Sequence, residues 1–70
     1  MPQKGIYRHY KGNEYELIAI ANHSETLEKM VVYKALYGKG EIWVRPLVMW
    51  DETVHTDSGD VKRFEFVRES

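Results

Sequence analysis

The stretch His23-Ser24-Glu25-Thr26 holds an imidazole, a hydroxyl and a carboxylate, the parts from which acyl-transfer sites are assembled. Their adjacency argues against that use. Consecutive side chains seldom face one another, and a triad draws its members from separate elements. Ser, Thr and Asn in such a run commonly bond their own backbone, so a loop is the stronger reading. His23-x-Glu25 also matches half of the zinc-deaminase signature, but the accompanying cysteines are missing because the chain has none. A small hydrolase using His23, Ser24 and Glu25 is the weakest of three expectations, and no catalytic residue is assigned.

The remaining short motifs read as turns. Gly38-Lys39-Gly40 lacks the spacing and the Ser/Thr of a phosphate loop. Asp57-Ser58-Gly59-Asp60 lacks the downstream ligands of a calcium loop. His9, His23 and His55 lie in different segments with no zinc-ligand spacing, so neither a metal nor a cofactor is expected.

Arg8, Arg45 and Arg63 form the more informative set. Each falls within a strand-like segment beside a ring or proline: Tyr7, Pro46 and Phe64. A guanidinium on a strand can present its planar fork to a carboxylate or phosphate. Trp43 alternates in phase with Arg45, so ring and cation belong on one face. The candidate ligand-binding set is Arg8, His23, Glu25, Trp43 and Arg45, expected to converge on one cleft. Such a surface suits a peptide, a nucleic-acid strand or a small anion. The competing reading keeps the rings in the core and pairs the arginines with Glu14, Glu16 or Glu25 across strands.

The elements that must position these residues are short and β-rich. Ile6–Tyr10, Glu14–Ala21, Met30–Tyr37, Ile42–Trp50 and Arg63–Val67 concentrate the β-branched and aromatic residues, with Gly, Asn, Asp and Ser between them. In the second segment Tyr15, Leu17, Ala19 and Ala21 read as the core face, and in the third Val31, Tyr33, Ala35 and Tyr37 share a face. Pro46 has no ladder donor and marks a bend, a bulge or an edge. Asn22–Glu28 reads as a loop with room for one helical turn capped by Asn22, and Asp51–Asp60 as a loop. Tyr15, Leu17, Tyr33, Val44 and Phe64 are expected inside, with Phe66 also facing the core. The expected architecture is all-β: one domain over residues 1–70, a small SH3-like barrel of about five antiparallel strands, with an OB-like barrel as the alternative.

Composition bounds the function. Seventy residues support a single small core, and 13% aromatic content supplies large rings to fill it. The net charge of −1 lacks the basic excess usual for a protein living on nucleic-acid phosphates. The N-terminal residues lack a signal-peptide h-region, and no run approaches the ~18 apolar residues of a membrane span, so a cytoplasmic location is expected.

Several blocks together carry a resemblance. Gly5-Ile6-Tyr7-Arg8-His9-Tyr10-Lys11-Gly12, His23-Ser24-Glu25-Thr26, Leu36-Tyr37-Gly38, Trp43-Val44-Arg45-Pro46, Met49-Trp50 and Arg63-Phe64 follow one another in this order. The chain from Gly5 to about Val67 thereby resembles the bacterial family called domain of unknown function 1653, with Trp50 where the family more often has Phe. The resemblance implies a compact β domain and no assigned activity. A non-enzymatic binding module is the first expectation, and a structural accessory or self-associating domain the second. Exposed Ile18, Ile20 or Val48 would favour the second.

Overall fold

The computed structural model describes residues 1–70. Its elements are β1 (Gly5–His9), β2 (Glu14–Asn22), β3 (Lys29–Ala35), β4 (Ile42–Pro46), the single turn α1 (Leu47–Trp50), β5 (Thr53–Thr56), β6 (Gly59–Lys62) and β7 (Phe64–Arg68). Five of them make one antiparallel sheet in the order β4-β3-β2-β1-β7, while β5 and β6 form a separate hairpin. The all-β expectation is met. The word barrel applies only loosely, because β4 and β7 are unpaired with each other and the sheet stays open.

Strand alternation explains the core. Val31, Tyr33 and Ala35 are buried along one face of β3, and the register sets Leu17 opposite Tyr33 and Tyr7 opposite Tyr15. Trp50 from α1 covers this face at 1% exposure and stacks on Phe64, with ring centroids 3.8 Å apart and planes 4° from parallel. Tyr7 and Tyr33 meet the indole at 5.2 Å and 5.1 Å. The core is thus an aromatic cluster, which yields large buried area from few residues. The Tyr7 hydroxyl is satisfied by donating to the Gln3 carbonyl at 2.8 Å.

Several expectations need correction. β2 carries a bulge: its pairing with β3 passes from Leu17–Tyr33 directly to Ala19–Val32. The extra residue, Ile18, exchanges the two faces. Ile20, opposite Val31, takes the core side in place of Ala19 and Ala21. Val44 is not buried; it is 62% exposed on the outer face, opposite Val32. The segment through Trp50 is not one strand, since β4 ends at Pro46 and α1 begins. Asp51–Asp60 is not simply a loop, because the polar Thr53–Lys62 stretch forms β5 and β6 around Asp57-Ser58. Tyr15 is only partly buried, and Phe66 is 38% exposed while it packs edge-to-face with Tyr7 at 5.5 Å.

Other expectations are met. Leu17, Tyr33 and Phe64 are buried. Pro46 ends the edge strand β4, where its missing donor costs nothing. Val48 is 70% exposed, whereas Ile20 packs against the core and Ile18 is partly buried.

Candidate functional site

The four arginines fall into two groups. Arg8 Nη2 lies 3.0 Å from Glu14 Oε2, Arg68 Nη2 lies 3.1 Å from Glu14 Oε1, and Arg63 Nε lies 3.4 Å from Glu52 Oε1. Arg45 has no carboxylate within ion-pair distance and no side-chain hydrogen bond. It is partly buried all the same, with its guanidinium carbon 5.4 Å from the centroid of Phe64. A cation over a ring face is attracted by the quadrupole, by ~0.5–2 kcal/mol depending on desolvation. The stack positions the guanidinium and leaves its in-plane N–H donors free for a planar acceptor.

The surroundings follow from register. Arg45 pairs with Val31 and Trp43 with Tyr33, so both point to the core side of β4. Trp43 is 50% exposed at the sheet margin. His9, opposite Phe64 on β7, is close enough for its ring to feel the charges of Arg63, Arg45 and Lys11. Burial first, and those cations second, hold its pKa below the usual 6.5. The Tyr15 and Tyr37 hydroxyls share a hydrogen bond of 2.8 Å. Burial, then that hydrogen bond, pushes the Tyr15 pKa up to about 12, while Arg45 acts in the opposite sense. The margin therefore combines a guanidinium without an acidic partner, an imidazole of lowered pKa and the Tyr15 phenol of raised pKa.

The five residues singled out from sequence are distributed unevenly. Trp43 and Arg45 share the core side of β4, as their alternation requires. Arg8 follows the core residue Tyr7 on β1 and projects from the opposite face, where Glu14 holds it. His23 and Glu25 lie in the β2–β3 loop. There His23 Nδ1 accepts from the Glu25 and Thr26 N–H groups at 3.1 Å and 3.3 Å. The expected Asn22 cap is replaced by this imidazole, and Asn22 Oδ1 instead accepts from Lys29 Nζ at 2.7 Å. Arg8 and Arg45 thus do not share a cleft, and His23 serves the geometry of its own turn.

Sequence reading misses His9, Tyr15 and Phe64 as the neighbours of Arg45; Tyr37, which it sets beside the arginines, reaches this margin through Tyr15. The usable signal was periodic for Tyr15, which falls on the core-facing register of β2 opposite Tyr7 and Ala35. A groove of about 740 Å³ also runs between the end of β1 and the β5–β6 hairpin. Its charges are mixed: Arg8 and Lys62 stand against Asp60 and Glu65, and Arg8 is already paired.

The geometry defines a class: a small open antiparallel sheet with an aromatic core and a cation–aromatic margin. Within that class, the profile of the family described as "Protein of unknown function (DUF1653)" matches residues 5–66, so the chain belongs to this family. A crystal structure of a DUF1653 protein from Bordetella bronchiseptica is similar, with 39% identity, a TM-score of 0.90, and coverage of 99% of this chain and 91% of that one. No curated protein matches the chain. No helix is long and apolar enough to cross a membrane.

Proposed function

We propose that this protein is a non-enzymatic binding module of the bacterial cytoplasm, and that its ligand is an extended peptide segment carrying a carboxylate. The observation that carries this reading is Arg45, the one arginine without an acidic partner, stacked on Phe64 beside the exposed Trp43. A peptide is favoured over a nucleic-acid strand because the net charge is −1 and because Arg45 sits on β4, a strand with an unpaired edge. Backbone bonds along that edge would supply affinity, and Arg45 would select the acidic side chain. This mode is related to the SH3-like reading, in which an aromatic margin of a small β domain takes extended chain.

The test is a titration of the folded protein with the blocked peptide acetyl-Thr-Val-Glu-Val-Thr-amide and with its Gln counterpart, followed by amide and indole NMR shifts. Binding should move Trp43 and the β4 amides with the Glu peptide, much less with Gln, and in Arg45→Met no more with Glu than with Gln. Equal binding of the two peptides, or an unaltered response in a folded Arg45→Met variant, overturns the proposal.

A further inference from the structure

The open edge of β4 has a composition that edges usually avoid. Sheets protect their margins with charge, and β7, the other edge and also five residues long, carries Glu65 and Arg68, whereas β4 has Arg45 and Pro46 only at its C-terminal end. β4 presents Ile42, Trp43 and Val44 at 62%, 50% and 62% exposure. Its backbone phase follows from one bond: the Ala35 N–H donates to the Glu41 carbonyl at 2.9 Å. Antiparallel alternation then turns the backbone groups of Trp43 and Arg45 inward to β3 and leaves the N–H and C=O of Ile42 and Val44 directed outward. Neither Ile42 nor Val44 takes part in any backbone bond outside the strand ladders.

We infer that a second copy of this chain occupies that edge, β4 pairing antiparallel with β4 about a two-fold axis at Trp43. The segment Glu41-Ile42-Trp43-Val44-Arg45 is complementary to its own reversal. With Trp43 opposite Trp43 of the second copy, Ile42 faces Val44 and Glu41 faces Arg45, on both sides of the axis. The outward groups of Ile42 and Val44 are the ones that this register brings together, so they exchange both backbone bonds. The two Trp43 rings meet at the non-hydrogen-bonded position, where side chains come closest. The apolar Ile42–Val44 contacts fall on the outer face. The carboxylate that Arg45 lacks within its own chain then comes from Glu41 of the second copy. Beyond this window Pro46 offers no donor, so the ladder ends there. A closed two-fold pair also uses up both β4 edges and does not propagate into a fibre.

This inference rests on the reading of Arg45 as a carboxylate receptor, and names a copy of the chain as its partner. Sedimentation velocity over a dilution series up to about 1 mM, the weakest affinity such a contact would usefully have, tests it. The wild type should dimerise. Glu41→Arg and Arg45→Glu each turn two opposite-charge pairs into like-charge pairs and should weaken association about tenfold or more. Mixed in equal amounts, the two variants should form a heterodimer, because each contact between position 41 of one copy and position 45 of the other then joins an acid to a base again. Val44→Pro removes an outward donor that the protomer does not use and should give a folded monomer. A wild-type monomer at every concentration, or a dimer indifferent to both Glu41→Arg and Val44→Pro, overturns the inference. In either case Glu-selective binding of the acidic peptide still supports the carboxylate reading, whereas loss of that binding as well removes both.

Discussion

At the scale of single residues, three of the four arginines have an acidic partner and Arg45 has none. Arg8 and Arg68 share the two oxygens of Glu14, and their hydrogen bonds hold that carboxyl below its usual range. Arg8 pairs with Glu14 as the cross-strand alternative read from sequence had it, whereas Arg68 was not among the arginines that reading considered. Arg45 differs because nothing in the local sequence says whether a carboxylate will arrive from a distant element. His9 shares its margin and gives a pH signature. Its depressed pKa means that the unfolded chain takes up a proton before the folded protein does. Stability should therefore be highest above the ordinary histidine value of 6.5 and should fall as pH drops below it. Urea unfolding between about pH 7 and pH 5 should show this slope, and His9→Asn should flatten it. A slope identical in the variant would assign the effect elsewhere.

Gly5 makes a second residue-scale case. It has φ 149°, and a Cβ there would lie 2.7 Å from Phe66 Cε1 and 2.8 Å from the Arg68 carbonyl oxygen. The close β1–β7 approach beside the register shift at Ile6/Tyr7 thus needs a residue without a side chain. Gly5→Ala should lower stability by about 2 kcal/mol, from overpacking with backbone strain added. Chemical denaturation checks this, and an unchanged midpoint would show that β7 gives way freely.

At the scale of elements, alternation read along the chain is a reliable guide where strands are regular. Val31, Tyr33 and Ala35 share one buried face because β3 runs without interruption. The same reasoning fails along β2, because one bulged residue, Ile18, inverts every later assignment and leaves no compositional mark. Val44 fails for a different reason. An apolar residue at the right period reads as core, but β4 is an edge and that face has no layer over it. β5 and β6 escape notice because Thr53–Lys62 is polar and largely exposed, so it carries little hydrophobic period. The phase of β4 can be tested by proline. Trp43→Pro removes an inward donor opposite Tyr33 and should cost about 1–3 kcal/mol from the acceptor left unpaired. Val44→Pro should stay within about 1 kcal/mol of wild type, since its donor faces outward. Equal costs in thermal or urea unfolding would mean that the phase is assigned wrongly.

At the scale of the whole molecule, the sheet stays open between β4 and β7, and the stacked pair Arg45–Phe64 joins side chains of those two strands across the opening. If that pair served only to close the sheet, Arg45 would be a structural strut. The proposal is that it is a receptor whose geometry the strut fixes. Thermal unfolding of wild type and Arg45→Met, each with and without the acidic peptide, separates these roles directly. A ligand that binds only the folded state raises its stability in proportion to the logarithm of its excess over Kd. The receptor reading predicts that free Arg45→Met melts lower only by the lost cation–ring contact, about 0.5–2 kcal/mol, and that peptide raises the melting temperature of the wild type alone. A variant that melts far below wild type, with no peptide-dependent rise in either protein, would contradict it.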